Sequence, residues 1–271
     1  MGTMTPSYVF DLEVVPEDWS LRPLGQVGKW YSGGTPSMKV PAYWIGETPW
    51  VSPKDMKVPR LHDALDHISP TAVADGARLM PVGTVLMVIR GMILAHSFPV
   101  ARAEVALAFN QDMKAVVPNE DFDSEFVLHW LIAHATAIRG LVTESTHGTK
   151  RLPPETLYRV PFPQPSRSEQ EAIAEALSDA DALIESLEQL VAKKRQIKHG
   201  AMQELLTGHK RLPGFSGEWE EKLLGNLGSF MKGSGVLKDE SSSGKLPCIR
   251  YGEIYTRHND CLLYTSPSPR D

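Results

Sequence analysis

Two Asp-Met-Lys tripeptides, at residues 55–57 and 112–114, contain the residue types of half a metal-dependent nuclease site. In such a site an acidic side chain binds Mg²⁺ close to a lysine. Neither tripeptide has an upstream acidic partner at a recognisable spacing. We therefore predict that Asp55 and Asp112 are turn residues, and that Lys57 and Lys114 are solvent-exposed lysines suited to phosphate contact.

Motifs of other enzyme classes are missing from the sequence. It contains no GxxxxGK[ST] loop, no GxGxxG, no HExxH and no GxSxG. It also lacks the Asn/Asp-Pro-Pro-aromatic pocket of a methyltransferase that acts on a flipped base. His129 and His134 are five residues apart and do not share a helix face, so we assign no metal. The sequence thus predicts a non-catalytic chain without a cofactor.

Cysteine usage and hydropathy predict where the chain resides. Cys248 and Cys261 show no metal-ligand spacing, which is typical of a reducing compartment and favours the cytoplasm. The start of the sequence has no signal-peptide pattern. The longest apolar stretch, at residues 84–95, is broken by Arg90 and is too short to span a bilayer. We expect no membrane association.

An internal repeat is found when the sequence is aligned with itself at an offset of 200 residues. The identical positions are Trp19, Leu24, Gly25, Gly28 and Gly33, which recur as Trp219, Leu224, Gly225, Gly228 and Gly233. Each copy is followed by a strand-like run, at residues 49–51 and 247–249. The pattern predicts that the chain begins the same domain twice.

Residues 168–207, between the two copies, have the strongest helical pattern. Apolar residues alternate in steps of three and four, as a coiled-coil seam requires, with Lys194 as the one break. We predict a capping box of Ser168 and Glu171, and a stop at Gly208. A helix of about forty residues is roughly 60 Å long. Its seam therefore needs a partner helix, in this chain or another.

The first domain is predicted to be α+β. Short strand-like runs occur at residues 50–52, 84–89, 105–109 and 115–117, separated by Gly and Pro turns. One helix is predicted from an Asp123 cap to about Arg139, with an apolar side that includes Phe126, Val127 and Trp130.

Several segments resemble parts of the specificity subunits of type I restriction-modification systems. KWYSGGTPSMKVPAYWIGETPWVSPKDMK (residues 29–57) resembles the opening of a target-recognition domain, and NQDMKAVVP (110–118) resembles a later signature of it. SEQEAIAEALSDADALIESLEQLVAKKRQIKHGAMQELLTG (168–208) is similar to the central spacer helix. RLPGF, followed by Trp219, is similar to the lead-in of a second recognition domain. The resemblance covers about residues 15–255.

This resemblance implies an α+β target-recognition domain, a long coiled-coil-type spacer helix and the start of a second, similar domain. We place them at residues 1–165, 166–210 and 211–260, the last being truncated. It further implies a cytoplasmic subunit that binds double-stranded DNA, recognises one half of a bipartite site and docks modification (methyltransferase) subunits, which restriction subunits join. S-adenosylmethionine would belong to the modification subunits, so this chain needs no cofactor.

The candidate DNA-binding residues are chosen for their hydrogen-bond donors and for backbone that can approach phosphate. The turn at residues 33–36 offers amides, although a purely structural turn explains it equally well. Arg90 interrupts an apolar strand, and a salt-bridged edge residue is the alternative. The full set is Gly33, Gly34, Thr35, Ser52, Lys54, Arg90, Lys114, Thr146, His147 and Lys150. The partner-helix seam is assigned to Ile173, Ala180, Leu183, Leu187, Leu190 and Ile197.

Two features depart from the family pattern. The net charge of −5 disfavours DNA binding, unless the basic residues cluster or partner subunits supply phosphate contacts. Residues 261–271 have no strand alternation and no counterpart in the first copy, so we predict a non-native tail and a helix seam without an intramolecular partner. Three alternatives remain: the specificity subunit of a related type II methyltransferase-nuclease system, a non-DNA coiled-coil adaptor, and a standalone nuclease.

Overall fold

A computed structural model describes residues 15–144 and 148–233, together with the backbone of two short strands near the C-terminus. The chain divides into two compact units, Met1–Lys194 and Arg195–Asp271. Helix and sheet are mixed in the first unit, as the α+β prediction requires. Among the described helices, none has the length and apolar character needed to cross a membrane.

The main sheet of the first unit has five strands in the order β2-β9-β6-β7-β4. Their bounds are β2 Gly28–Ser32, β4 Arg60–Leu61, β6 Val85–Val88, β7 Val100–Ala103 and β9 Met113–Pro118. The central strand β6 is buried along its whole length, because its apolar residues are covered on both faces. Both of its neighbours, β7 and β9, run antiparallel to it.

A second sheet of three strands has the order β5-β3-β8. It consists of β3 Thr48–Val51, β5 Asp66–Ile68 and β8 Ala108–Phe109. Strands β3 and β8 are parallel, with Val51 opposite Phe109, so their carboxyl ends lie at the same edge. The predicted strand at 105–109 is therefore wrong in length, since only Ala108 and Phe109 belong to the sheet, and Leu107 forms an isolated bridge with Met80.

Four short helices pack around the sheets: α1 Pro70–Ala74, α2 Ser124–Ala133, α3 Ala135–Arg139 and α4 Pro154–Tyr158. Asp123 caps α2 as predicted, because its carboxylate accepts from the backbone N–H groups of Glu125 and Phe126 at 2.9 and 3.0 Å. The single helix predicted up to Arg139 is wrong. His134 has φ −96° and ψ 10°, which breaks the helical path, so α3 is a separate element.

The core of the first unit lies between the main sheet and α2. Phe162 is fully buried and contacts the rings of Phe122, Phe126 and Trp130 at centroid distances of 4.7 to 5.8 Å. It belongs to strand β12 (Pro161–Gln164), which pairs antiparallel with β1 (Ser20–Pro23). Strand β12 thus lies beside β1 immediately before the long helix starts.

The long helix α5 runs over Arg167–Leu205, which confirms the prediction of one continuous helix. Its predicted cap is wrong. Ser166 Oγ accepts from the backbone N–H of Glu169 at 3.3 Å, whereas Ser168 lies inside the first turn. After the helix, Gly208 has a φ of +77°, a conformation that favours glycine and suits the predicted stop.

In the second unit, part of the repeat is visible as local backbone. A 3-10 helix at Leu224–Asn226 matches one at Leu24–Gln26, and in both the residue after it donates its N–H to the first carbonyl. Leu24 is fully buried, whereas Leu224 is 67% exposed. Strands β13 (Leu246–Cys248) and β14 (Ser266–Ser268) pair antiparallel. Residues 266–268 thus form a strand although the tail lacks strand alternation in its sequence. The non-native tail and the second recognition domain both stay predictions.

Candidate nucleic-acid interface

One edge of the first unit collects most of the predicted donor residues. Pairing of Ser32 with Lys114 and of Val88 with Met113 places the ends of β2 and β6 beside the beginning of β9. The hydrogen bond from Asn110 N to Val51 O, 2.9 Å, adds the ends of β3 and β8. We call this the loop edge, and it consists of residues 32–35, 52–55, 89–91, 110–114 and 150–151.

Gly33 has no room for a side chain. A Cβ atom there would lie 2.2 Å from Asn110 O and 2.3 Å from Phe109 O. The next residue, Gly34, donates its N–H to Phe109 O at 2.9 Å and accepts from Trp50 Nε1 at 2.9 Å. The Gly34 amide is therefore already used within the fold, which disfavours a contact with phosphate, and its role in DNA binding stays a prediction.

Thr35, the third member of the turn, is exposed and hydrogen-bonds the side-chain Oε1 of Gln111. Gln111 is itself exposed on the connection between β8 and β9. Gln111 stands within the NQDMK signature but was not among the predicted DNA-binding residues. A glutamine carboxamide can pair with the N6 and N7 atoms of adenine, which makes this residue a candidate base reader.

Ser52 is buried at the end of β3, which disfavours its role as a donor to DNA, and that role stays a prediction. Its N–H and Oγ both donate to Asp55 Oδ2, at 2.8 and 2.9 Å. The other carboxylate oxygen of Asp55 accepts from Leu65 N at 2.8 Å. Lys54 lies between these two residues and is exposed. Asp55 and Ser52 thus shape the turn that presents Lys54.

Arg90 follows the end of β6 rather than interrupting a strand, so that part of the prediction is wrong. Its guanidinium lies 3.5 Å from Asp112 Oδ1, and its side chain is 51% exposed. The backbone N–H groups of Ile89 and Arg90 both donate to Asp112 O, at 2.9 and 3.1 Å. Arg90 is therefore the salt-bridged edge residue of our alternative, with half of its side chain still open to solvent.

The two other predicted lysines are partly buried at the same edge. Lys114 Nζ donates to Ser32 Oγ at 2.6 Å, and Lys150 Nζ lies 2.5 Å from Glu144 Oε2. Lys150 is in the short strand β11 (Lys150–Arg151), which pairs with β10 (Thr143–Glu144). Its carbonyl accepts from Gly91 N at 3.0 Å, which joins it to the loop edge. Thr146 and His147 lie outside the described residues.

The aspartates of both Asp-Met-Lys tripeptides have structural roles. Asp55 organises the turn after β3, and the backbone carbonyl of Asp112 accepts two hydrogen bonds at the end of β6. Within the part of the chain that the structure describes, no group of three His, Cys, Asp or Glu side chains could hold a metal ion. Asp55 and Asp112 thus have the turn positions that we predicted.

A pocket of about 330 Å³ adjoins the turn and is lined by Gly34, Thr35, Ser37, Tyr43 and Asp75 among others. Tyr43 donates its hydroxyl to Asp75 Oδ2 at 2.5 Å, and this bond, with burial and the charge of Asp75, raises the pKa of Tyr43. No sequence motif links Tyr43 and Asp75, which are 32 residues apart, so this pair was not predicted.

Beyond its first three turns, α5 displays an exposed apolar stripe. The predicted seam residues Leu183, Leu187, Leu190 and Ile197 are each about half exposed, and Ala180 is exposed. Ile173 is the exception, since it is partly buried and packs against the core of the first unit. Leu177, Ile184 and Val191 were not predicted as seam residues. They are also exposed and apolar, and they make the apolar stripe wider than the predicted seam.

Fold and site together define a mixed helix-and-sheet domain with donor-bearing loops at one edge and a long helix that follows it. A family model described as the type I restriction modification DNA specificity domain matches residues 16–198. The chain therefore belongs to this family, as the sequence resemblance predicted.

Two curated relatives and one solved structure are similar to this chain. The specificity subunit of the Escherichia coli type I restriction enzyme EcoR124I/EcoR124II is 31% identical over 179 residues, 65% of this chain and 44% of that protein. The MjaIX specificity subunit of Methanocaldococcus jannaschii is 33% identical over 181 residues, 65% and 41% of the two chains. A structure concerned with complex assembly and conformational transition of the type I R-M system has a TM-score of 0.53 at 18% identity, and covers 73% of this chain and 48% of that one.

The aligned part of the chain spans less than half the length of these curated relatives. The structural match supports the fold.

Proposed function

We propose that this chain is a DNA-recognition subunit of a type I restriction-modification complex, in which the first unit reads one half of a bipartite site. The observation that carries the proposal is the loop edge. There the strand ends bring Lys54, Arg90 and Lys114 together with the exposed amide of Gln111. Lysine and arginine contact phosphate, and arginine and glutamine also recognise guanine and adenine edges.

Acidic side chains in and next to the loop edge partly neutralise its cations. Asp112 lies beside Arg90, and Glu144 lies beside Lys150. Contact with DNA would separate these pairs or share the cation between the carboxylate and a phosphate. We therefore assign Lys54, whose exposed side chain has no ion pair among the described residues, the main phosphate contact, and Arg90 a contact that forms as the duplex docks.

The apolar stripe on α5 supports the second part of the proposal, which concerns partners. Exposed leucine and isoleucine side chains over several helical turns are typical of a surface that another protein covers. We propose that helices of modification subunits, or a helix from a longer form of this subunit, pack on Leu183, Leu187 and Leu190. Bond-making and bond-breaking steps would belong to those partners, with restriction subunits joining the assembled complex.

Removal of cations from the loop edge tests the proposal. The double variant Lys54→Ala, Arg90→Ala should weaken binding to a duplex and reduce the salt dependence of the binding constant, by about one unit of log–log slope for each phosphate that is no longer neutralised. The matched control is Arg22→Ala, Lys29→Ala, which removes two exposed cations away from the loop edge. Fluorescence anisotropy at several salt concentrations gives both quantities.

Equal salt slopes for the two double variants would contradict the assignment of DNA binding to the loop edge. Cleavage of the duplex by the purified chain would instead support the nuclease alternative. A second experiment, co-expression with a type I modification subunit followed by genome-wide mapping of methylated adenines, identifies the recognised sequence. In that assay the Lys54→Ala, Arg90→Ala variant should lose methylation at its sites.

A further inference from the structure

The start of α5 is joined to the first unit by a cluster of polar contacts that the sequence analysis did not predict. Gln170 is fully buried, with 0% of its surface exposed. Its Oε1 accepts from Asp123 N at 2.9 Å, and its Nε2 donates to Asp121 O and Pro165 O, both at 3.0 Å. Both amide hydrogens and the carbonyl of this side chain are therefore used, which restricts its position far more than apolar contact would.

Asp123 connects this cluster to helix α2. One carboxylate oxygen caps α2 through Glu125 N and Phe126 N, and the other lies 3.2 Å from Arg167 Nη2. The backbone N–H of the same residue donates to Gln170. The first turns of α2 and α5 are thus held by one residue, so neither helix can rotate without breaking bonds of the other.

A second group of contacts lies two turns further along α5. Ser178 Oγ accepts from Arg60 Nη2 at 3.1 Å and lies 3.4 Å from His129 Nε2. Arg60 is held in turn by Glu125 at 2.5 Å and Glu104 at 3.4 Å. We call the contacts of Arg167, Gln170 and Ser178 the polar joint.

Past Ser178, every residue of α5 up to Lys194 is exposed. Within the first unit, the direction of this segment is therefore decided by the polar joint and by the packing of Ile173 and Ala174 on the core. Lys193 lies 15 residues beyond Ser178, about 22 Å along a helix. Each 10° of tilt of the helix axis at the joint therefore moves Lys193 by about 4 Å. That displacement is comparable to the rise of one base pair, roughly 3.4 Å.

We propose that Gln170 is a positioning residue, which with the Arg60–Ser178 contact fixes the angle between the recognition domain and the spacer helix. Apolar packing is less directional than hydrogen bonding and so leaves the helix more freedom to tilt. The consequence for DNA, that the joint sets where a partner on the helix meets the bound half-site, rests on the proposed function. The mechanical claim about the joint does not depend on it.

Distance measurement between spin labels tests the joint in the full chain. Labels are placed at Lys29→Cys on β2 and Lys193→Cys on α5, with Cys248 and Cys261 replaced by Ser. Gln170→Met keeps nearly the same volume but removes three hydrogen bonds, and should broaden the distance distribution by about 3 Å or more for each 10° of added freedom. The matched control, Gln189→Met, changes an exposed glutamine on the same helix whose side chain bonds Glu185 at 3.4 Å.

Ser178→Ala is the second variant, since it removes the acceptor of Arg60 while leaving Gln170 in place. It should broaden the distribution less than Gln170→Met, and it decides the question if Gln170→Met does not fold. Unchanged distributions in the folded variants would overturn the proposal, as would equal broadening in Gln189→Met. Loss of DNA binding by Lys54→Ala, Arg90→Ala is measured separately, so a failed joint and a failed proposed function give different results.

Discussion

Replacement of Gly33 by alanine is the sharpest test of how the loop edge is built. The new Cβ atom would lie 2.2 and 2.3 Å from two backbone oxygens, closer than the 3.0 Å that real Cβ contacts respect. Backbone carbonyls cannot rotate away as a side chain can, so the turn and the β8–β9 connection must separate. Overpacking of this kind costs about 1–3 kcal/mol of folding free energy. For a unit of this size that lowers Tm by about 2–12 °C.

The local consequence follows from the bonds of the next residue. When the turn moves, the hydrogen bonds from Gly34 N to Phe109 O and from Trp50 Nε1 to Gly34 O lengthen or break. Thr35 then loses its fixed position beside Gln111. Gly33→Ala should therefore weaken duplex binding beyond the loss explained by unfolded protein.

Gly34→Ala is the control, because a Cβ atom there meets nothing within 4 Å and the residue does not have a positive φ. It should change stability by less than about 0.5 kcal/mol, as surface substitutions generally do. Thermal unfolding followed by circular dichroism, and anisotropy with a duplex, compare the two variants. Equal Tm values for Gly33→Ala and Gly34→Ala would refute the steric argument.

Three further predictions concern the helices and the charged network. Asp123→Ala removes the cap of α2 and should lower the free energy of unfolding by about 0.5–2 kcal/mol in urea titration, and an unchanged midpoint would contradict the capping role. Burial raises the pKa of Glu104, but Arg102 and Arg60 outweigh it, so the folded pKa is below the ordinary 4.5. The stability from Glu104 is therefore present above pH 4.5 and lost as pH falls through the folded pKa. The difference in unfolding midpoint between wild type and Glu104→Gln should shrink over that range, and a constant difference would be evidence against the network. Leu187→Glu should reduce the association of the purified chain at micromolar concentration, measured by light scattering, because it places a charge in the apolar stripe; a wild-type chain that is already monomeric would contradict this expectation.

The spacing of apolar residues and the local capping motifs predicted several features of the helices. The three-four spacing of apolar residues predicted α5 to within two residues at each end, since such spacing places apolar side chains along one helical stripe. The Asp123 cap was predicted correctly because capping depends on neighbours two and three residues away. Ser166 was not predicted as the cap of α5, since Ser166 and Ser168 satisfy the same local rule. The break at His134 has no signal in the sequence.

Residue types at the loop edge could be predicted from the sequence, but the exposure of their donors could not. Lys54, Arg90 and Lys114 were identified from their chemistry, and the pairing of strands distant in sequence brought them to one edge. Whether each donor faces solvent depends on partners that only folding provides. The Ser52 hydroxyl donates its hydrogen bond to Asp55, the Gly34 N–H donates to Phe109, and the Lys114 ammonium donates to Ser32.

The sequence by itself determined the family and the long helix, because these depend on motif order and on periodicity along the chain. Tertiary structure alone decided which strand ends share an edge, which donors remain exposed, and how α5 is held. Gln170 shows the reason: two of its three hydrogen-bond partners, Asp121 and Asp123, reach it only when residues 121–123 are folded against the helix.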